Sequence, residues 1–278
     1  MPVKLSEEKI EFIKQKTLEG WFQPDIAKEL GISSNCVYRY VKELGLSPGF
    51  RCKRKRSLQD DIFKKIDTEE KAYWLGFIMA DGCVSYSTKY FRERNRANRL
   101  SVNLSIKDID MLIKLKEFLK TDAKIVVYTP KGTYSENEMC KITTNSVKLC
   151  KDLEQYGVIP NKTGKEIMPA QNLVSKKLMR HFIRGFFDGD GSVYKHLGVR
   201  NCISFTGNES MLNCLKRFLM ENNIVKSNCA VVRDSRGKNA FTYHFSNQKD
   251  VNRFYKYIYG NATVFMERKY NKFGITLH

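Results

Sequence analysis

The chain has 278 residues, of which 42% are hydrophobic, enough for one large or two modest folded domains. Lysine and arginine number 49 against 30 acidic residues. The net charge of +19 therefore points first to a nucleic-acid partner and less strongly to an anionic membrane. No apolar run reaches the roughly 20 residues of a membrane span, and the 8 cysteines form no C-x-x-C pair. We therefore expect an intracellular protein with reduced thiols and no membrane segment, zinc site or disulfide framework.

Three short helices are predicted in the first unit, residues 1–47. Ser6 and either Ser33 or Ser34 are candidate helix caps, and Gly31 and Gly45 follow the second and third helices. The apolar set of two helices crossing at a tight turn is Ile26, Ala27, Leu30, Ile32, Val37, Val41 and Leu44. The pattern resembles a bacterial helix-turn-helix. This implies a recognition helix that presents four side chains to the DNA major groove: Ser34, Asn35, Tyr38 and Arg39. The alternative is a packing unit with a solvated polar face.

Residues 48–68 have the composition of a linker. Pro48-Gly49 precedes the basic run Arg51-Cys52-Lys53-Arg54-Lys55-Arg56. Runs of this kind are usually solvated, although a tether that follows a DNA backbone is an equally good interpretation.

Two matching stretches, residues 74–82 and 183–191, organise the rest of the chain. Each is an apolar run of helical character that ends in Asp-Gly. Small residues lie four apart in both, Gly76 with Ala80 and Gly185 with Gly189. Positions four apart share a helix face, and faces without large side chains let two helices approach closely. We therefore expect the two helices to touch along these residues.

The acids that end the two stretches, Asp81 and Asp190, then emerge side by side. Two carboxylates at one point repel each other unless a cation lies between them, and hard oxygen ligands suit Mg²⁺. Asp-Gly on its own is an ordinary turn signal, but two copies with the same small-residue spacing favour a paired site. Gly82 and Gly191 are predicted to take the left-handed conformation that commonly follows a helix.

The pair of stretches resembles the doubled motif of the LAGLIDADG homing endonucleases, in the single-chain form with two copies. The matching residues are Gly76, Ala80, Asp81 and Gly82 in the first copy, and Gly185, Gly189, Asp190 and Gly191 in the second. The first copy departs from the family pattern at Met79, where the second copy keeps an acid, Asp188. Because the metal-binding acid of the family is the last one of the motif, we expect activity to survive this departure.

The resemblance implies Mg²⁺-dependent cleavage of both strands of double-stranded DNA at a long asymmetric site by a monomer. Two or three Mg²⁺ ions would be shared between Asp81 and Asp190, with Mn²⁺ or Ca²⁺ able to substitute for binding. Scissile phosphates and the backbone carbonyls of Ala80 and Gly189 would complete the metal ligands. The family also places a lysine from each half near the site, and the matching residues are Lys162 and Lys269. Each would polarise solvent or stabilise transition-state charge, the alternative being a solvated surface lysine.

After each motif the same order of elements is predicted. The first half has strands at 83–91, 99–106, 123–129 and 138–144, with helices at 108–120 and 146–157. The second has strands near 192–197, 200–207, 228–234 and 240–246, with helices at 209–222 and 248–259, and Ser175 is a candidate cap for its motif helix. The fold class is therefore α+β, with a pseudo-two-fold pair of αββαββα repeats at 69–166 and 167–278 after the small all-α domain. The resemblance implies that the pair forms a DNA-binding saddle.

Polar and apolar residues alternate along these strands, so each sheet is expected to bury one face and present the other. A β-ribbon fits the major groove, and the resemblance also implies that the polar faces bind DNA. The candidates are Arg99, Ser101, Asn103, Ser105, Lys141, Thr143, Ser204, Thr206, Arg233, Thr242 and His244. Ser105 and Thr206 are also the candidates for the polar residue that organises water at the end of the second strand in the family. Cationic hairpin tips at 89–96 and 233–238 strengthen the prediction.

The predicted function is site-specific cleavage of DNA by a homing endonuclease. Two alternatives use the same surfaces: a catalytically idle transcription regulator with a helix-turn-helix, and an RNA-binding intron maturase. We expect the cytoplasm or nucleoid of a bacterium or phage-infected cell, or an organelle. The sequence leaves open the target site and whether the gene belongs to an intron, a phage or another mobile genetic element.

Overall fold

The computed structural model describes residues 5–19, 21, 23–46, 57–86, 98–130, 137–196, 200–235, 237 and 239–274. The chain divides into two compact units, Met1–Lys55 and Arg56–His278. The basic run at 51–56 and the predicted hairpin tip at 89–96 lie outside the described residues, as do Arg236 and Lys238 of the second tip. None of the helices that the structure describes has the length and apolar character needed to cross a bilayer.

The first unit contains the three predicted helices, α1 (Glu7–Leu18), α2 (Gln23–Leu30) and α3 (Ser34–Glu43). Gly31 takes a left-handed φ of +62° after α2, which permits the tight turn into α3. The Ser33 side chain caps α3 by accepting from the Cys36 amide, whereas Ser6 precedes α1 without a side-chain capping bond. The buried core is Ile13, Ile26, Ala27, Val37, Tyr40 and Val41.

The second unit contains the two repeats. The first repeat is α4 (Glu69–Asp81), β1 (Gly82–Tyr86), β2 (Asn98–Ser105), α5 (Ile109–Phe118), β3 (Val126–Tyr128), β4 (Met139–Asn145) and α6 (Val147–Glu154). The second is α7 (Lys176–Asp190), β5 (Gly191–His196), β6 (Arg200–Gly207), α8 (Glu209–Glu221), β7 (Val231–Arg233), β8 (Phe241–Phe245) and α9 (Gln248–Tyr259), with a further helix α10 (Glu267–Lys272). The αββαββα order is confirmed in both halves, and α10 is the addition that the sequence did not predict.

Each repeat folds into one antiparallel sheet, with strand orders β1-β2-β4-β3 and β5-β6-β8-β7. Alternate residues of the central strands are buried against the helices, as Val102 and Phe205 show. Gly82 pairs with Val102, and Gly191 pairs with Phe205, so these positions correspond between the repeats. The same register makes Asn103 the counterpart of Thr206. Ser105 and Thr206 were predicted to occupy equivalent places, and in this register they do not.

The motif helices α4 and α7 pack against each other in the centre of this unit. A Cβ atom added to Gly76 would collide with the carbonyl oxygen of Phe182, and one added to Gly185 would collide with that of Tyr73. The helix backbones therefore touch where the small residues lie, as their spacing predicts.

Gly82 and Gly191 do not take the predicted left-handed conformation. Their φ angles are −78° and −86°, because each begins a strand directly after its motif helix. Glycine is required there by space, since an added Cβ would lie 2.5 Å from the carbonyl oxygen of Ile78 or of Phe187.

Residues 57–68, predicted as the end of a linker, pack into the second unit. Ile62, Phe63 and Ile66 are buried in its core. The Ser57 carbonyl accepts from the Thr121 hydroxyl at 2.6 Å, and the Asp60 carboxylate accepts from the Ser146 hydroxyl at 2.6 Å. Because these apolar side chains are buried in its core, the second unit begins directly after the basic run and not at residue 69.

Candidate active site

Asp81 and Asp190 lie together at the carboxyl ends of the two touching helices. Asp81 is the last residue of α4 and Asp190 the last of α7. A Cβ atom on Gly189 would collide with the Ala80 methyl group and would lie 3.0 Å from Asp81 Oδ2. The small residues thus bring the first acid against the helix that carries the second.

Both carboxyl groups are held in an environment that disfavours their charged form. Burial and, to a lesser extent, the charge of Asp81 raise the pKa of Asp190 to about 7. Burial also raises the pKa of Asp81 to about 6, against the opposing effect of the Lys269 and Lys162 charges. A cation bound between the two acids would stabilise both of them in the ionised form.

The two predicted lysines are buried beside the acids, which rules out the solvated alternative. Lys162 is 8% exposed, and its Nζ donates to the Ala80 carbonyl at 2.8 Å. Lys269 is 7% exposed, and its Nζ donates to the carbonyls of Phe187, Gly189 and Gly191 at 2.9, 2.8 and 2.6 Å. Burial lowers the pKa of Lys269 to about 8, although the charges of Asp188 and Asp81 oppose this.

The lysines also contact the two carbonyls that are predicted metal ligands. The Ala80 carbonyl accepts from Lys162 Nζ and the Gly189 carbonyl from Lys269 Nζ, each at 2.8 Å. A carbonyl oxygen has two lone pairs, so their role as metal ligands stays a prediction. Within the described ranges no cluster of three or more His, Cys, Asp or Glu side chains could hold a metal. The donors that fit a metal are Asp81 and Asp190, a set suited to a hard cation that takes its other ligands from phosphate and water.

A cavity of about 240 Å³ opens beside Asp81. Its lining includes Asp81, Asn103, Ser105, Asp108, Arg268 and Lys269. It therefore joins one acid and one lysine of the site to the end of β2 and to α10.

Asp188, predicted only as a match to the family pattern, is a buried anchor. Its carboxylate accepts from the hydroxyls of Tyr73 at 2.8 Å and Tyr259 at 2.7 Å and from the Met266 amide at 2.8 Å. These partners lie on α4, on α9 and just before α10. The carboxylate therefore joins both motif helices to the segment that carries Lys269.

A second anchor, Arg184, was not predicted, because in the sequence it is a single charged residue within an apolar stretch. Its guanidinium is fully buried and donates to the carbonyls of Val264 at 2.9 Å and Ile258 at 2.8 Å. It also donates to the Glu69 carboxylate at the start of α4, at 2.8 Å. A charge that is paired in this way indicates a fixed position for the chain around residue 264.

Most of the DNA-binding candidates lie on the polar faces of the sheets. Arg99 and His244 are exposed, and seven others are half-buried: Asn103, Ser105, Lys141, Thr143, Ser204, Thr206 and Thr242. Ser101 is only 7% exposed, with its hydroxyl 3.3 Å from that of Thr143. Arg233 pairs with Phe241, so it points to the side opposite Thr242 and does not belong to the polar face.

Two exposed valines on the polar faces were not predicted, because the alternation of the strands points to polar groups there. Val126 pairs with Lys141 and is 54% exposed, while Val232 pairs with Thr242 and is 43% exposed. Lys141 and Thr242 correspond between the repeats, so the valines do too. Their shared place in the register is the signal that identifies them.

In the first unit, Ser34, Asn35 and Tyr38 are exposed on α3. Arg39 is half-buried, with its guanidinium 5.1 Å from the Tyr40 ring centre and 3.8 Å from Glu43. Three of the four predicted recognition residues are therefore presented to solvent, and the fourth packs on its own helix.

Comparison with known proteins bears on this architecture. Residues 177–259 match the family model described as a LAGLIDADG-like domain. The replication factor C small subunit of Methanocaldococcus jannaschii is 28% identical over 158 residues, which are 56% of this chain but only 8% of that protein. A point mutant of I-SmaMI is similar in structure, with 16% identity and a TM-score of 0.50 over 72% of this chain and 87% of that one. The LAGLIDADG homing endonuclease I-GzeII, in complex with its DNA target, has 14% identity and a TM-score of 0.50 over 78% and 88%.

These likenesses define the class of fold. The chain has the two-repeat α+β fold of the LAGLIDADG endonucleases, as its doubled motif predicted. The family model matches within its second repeat, and the first repeat has the same order of elements and the same sheet topology.

Proposed function

We propose that the chain is a site-specific homing endonuclease that hydrolyses both strands of double-stranded DNA and acts as a monomer. The observation that carries the proposal is the meeting of Asp81 and Asp190 at the ends of two touching helices, each accompanied by a buried lysine. A purely structural role would gain nothing from two acids whose ionisation is opposed by burial. The DNA target that accompanies I-GzeII, which shares this fold, supports the choice of substrate.

The residues divide the work between binding the ion and stabilising charge. Asp81 and Asp190 would hold Mg²⁺, and each would serve one strand. When bound, Mg²⁺ activates water and neutralises charge on the attacking and leaving oxygens. Lys162 and Lys269 would place positive charge beside the scissile phosphates, where charge develops in the transition state. Their carbonyl partners fix the ammonium groups before substrate arrives.

Two further surfaces would bind the duplex. The polar faces of the sheets carry hydrogen-bonding and cationic groups suited to the major groove. The helix-turn-helix would contribute through Ser34, Asn35 and Tyr38 on α3. Since the net charge of the chain is +19, we expect binding to weaken steeply with salt.

The test is digestion of a complex DNA pool with the full chain and Mg²⁺, followed by sequencing of the ends. We expect double-strand ends at one site, with short 3′ overhangs. Asp81→Asn and Asp190→Asn should abolish cleavage or reduce it to nicking. Asp61→Asn, which changes an exposed acid of the same unit, should cut as the wild type does.

The outcomes separate the alternatives. Specific DNA binding without cleavage under any divalent ion would favour the transcription regulator. Preference for structured RNA over the same DNA in competition would favour the maturase. Either result would contradict the endonuclease.

A further inference from the structure

The segment that carries Lys269 is fastened to the opposite repeat. Arg268, the neighbour of Lys269, forms a two-pronged ion pair with Asp108, with Nε–Oδ1 at 2.7 Å and Nη2–Oδ2 at 2.8 Å. Asp108 belongs to the first repeat, where it precedes α5, and it is 7% exposed. Paired geometry of this kind fixes direction as well as distance.

The segment that carries Lys162 is fastened in the same way, in the opposite sense. Glu166 lies four residues after Lys162 in the chain. Asn208 Nδ2 donates to the Glu166 carbonyl at 2.7 Å and to its Oε2 at 2.8 Å. Asn208 belongs to the second repeat, where it precedes and caps α8. Asp108 and Asn208 each directly precede the helix that follows the second strand of their own repeat.

We propose that these crossed contacts, Arg268–Asp108 and Glu166–Asn208, are positioning contacts through which each repeat places the catalytic lysine of the other. The inference rests on the proposed endonuclease function. It follows from the presence of a polar contact to the opposite repeat near each lysine, an ion pair beside Lys269 and an amide–carboxylate contact four residues after Lys162.

The Arg268–Asp108 contact lies beside the proposed active site. Asp108 and Arg268 line the cavity beside Asp81, next to Lys269. A lysine side chain is flexible, so its ammonium group stabilises transition-state charge only if other contacts hold it in position. A displacement of such a group by about 1 Å can reduce the rate by about a hundredfold. Loss of one contact should therefore slow the strand that its lysine serves and leave the other strand at its normal rate.

The experiment uses a duplex that carries the site recovered from pool digestion, with a different label on each strand. Arg268→Met removes the ion pair, and Asp108→Asn weakens it from the other side while keeping an acceptor. Asn208→Asp retains the oxygen that caps α8 but removes the donor to Glu166. We expect about tenfold slower cleavage of one strand in the first two variants, with kcat reduced and KM unchanged, and nicked duplex as the main early product. Asn208→Asp should give nicks in the opposite strand.

Arg268→Lys restores the charge and should recover part of the lost rate, without changing the strand that is slow. Lys71→Met breaks an exposed ion pair with Asp67 at 2.8 Å and should cut both strands as the wild type does. Melting temperatures accompany each variant, since a loss of stability alone slows both strands equally. Equal slowing of both strands, or nicks in the same strand from both contacts, would overturn the inference while the endonuclease stands. A wild type that cuts neither strand would overturn the function and the inference with it.

Discussion

The two motif copies share a backbone but differ at one buried position, Met79 in the first and Asp188 in the second. Both side chains are fully buried near the ends of their helices. Asp188 accepts three hydrogen bonds, whereas Met79 lies in the apolar core. The packing of α4 against α7 therefore does not require an acid at this position of the motif. The acid of the second copy instead holds the chain that leads to Lys269.

The anchoring around the two lysines differs accordingly. Lys269 donates to three carbonyls, and its segment is also held by Asp188 and Arg184. Lys162 donates to one carbonyl. The pseudo-symmetry therefore holds for the paired acids and the sheets, while the second half fixes its lysine with more polar contacts.

The largest loss of stability should come from replacing Asp188 with an apolar residue, so that it resembles Met79. Asp188→Leu leaves the donors of Tyr73, Tyr259 and Met266 unpaired in the core, and we expect a loss of about 3–5 kcal/mol in the free energy of unfolding. Met79→Leu keeps an apolar side chain of similar volume and should cost less than about 1.5 kcal/mol. Urea denaturation of both variants measures the difference. Equal losses would mean that the Asp188 contacts add nothing to the fold.

Local patterns carried most of the fold. Alternation along the strands and caps at the helix ends gave the order of elements, and the small residues Gly76 and Gly185 gave the helix contact and the pairing of the acids. These signals act over a few residues, so one sequence contains them in full.

What the sequence could not show depends on partners far apart in the chain. Arg184 finds Ile258 and Val264 more than 70 residues away, and Arg268 finds Asp108 across the repeats. The residues next to either arginine in the sequence give no indication of these contacts. At Gly82 the residue type was informative but its reason was misjudged, since crowding by Ile78 and not a left-handed φ demands glycine.

A second prediction concerns the symmetric part of the comparison. Gly76→Ala and Gly185→Ala each push a methyl group into a backbone carbonyl of the partner helix. Since the backbone cannot yield as a side chain does, we expect each to cost about 2–3 kcal/mol in the free energy of unfolding. Gly207→Ala is the matched control, because its nearest contact would be an ordinary 3.6 Å from Leu212. A large difference in the free energy of unfolding between Gly76→Ala and Gly185→Ala would show that the two glycines do not contribute equally to the contact between α4 and α7.

A third prediction concerns the pH dependence of the acid pair. Because burial raises the pKa of Asp81 to about 6 and of Asp190 to about 7 from an ordinary value of 3.8, the folded chain binds more protons than the unfolded chain between about pH 4 and pH 7. The free energy of unfolding should therefore fall as the pH rises through this window, by about 2–4 kcal/mol from the pair. Above pH 7 the lowered pKa of Lys269 acts in the opposite direction.

The measurement is urea denaturation in EDTA at pH 5 and pH 7. The double variant of Asp81→Asn and Asp190→Asn should lack this part of the pH dependence, and Asp61→Asn should retain it. Mg²⁺ at pH 7 should raise the melting temperature of the wild type and leave that of the double variant unchanged. A wild type that is insensitive to Mg²⁺ would contradict the assignment of the acids as metal ligands.

The smallest effect should come from the matched valines of the two polar faces. An exposed methyl group in the major groove can contact the 5-methyl group of thymine, the apolar feature that distinguishes that base. Val126→Thr and Val232→Thr keep the β-branched shape that suits a strand, so we expect the fold to be unchanged. Each should lower affinity for the recovered site by about threefold and relax the preference for thymine at one base pair.

The two relaxed positions should lie in opposite half-sites, because the valines correspond between the repeats. Val127→Thr is the matched control, since Val127 is 46% exposed on the same strand but pairs with buried Cys140 and so points away from the polar face. Binding competition against targets substituted one base pair at a time locates the affected positions. A change in preference from Val127→Thr as large as that from Val126→Thr would mean that exposure at the sheet edge, and not the polar face, governs contact with DNA.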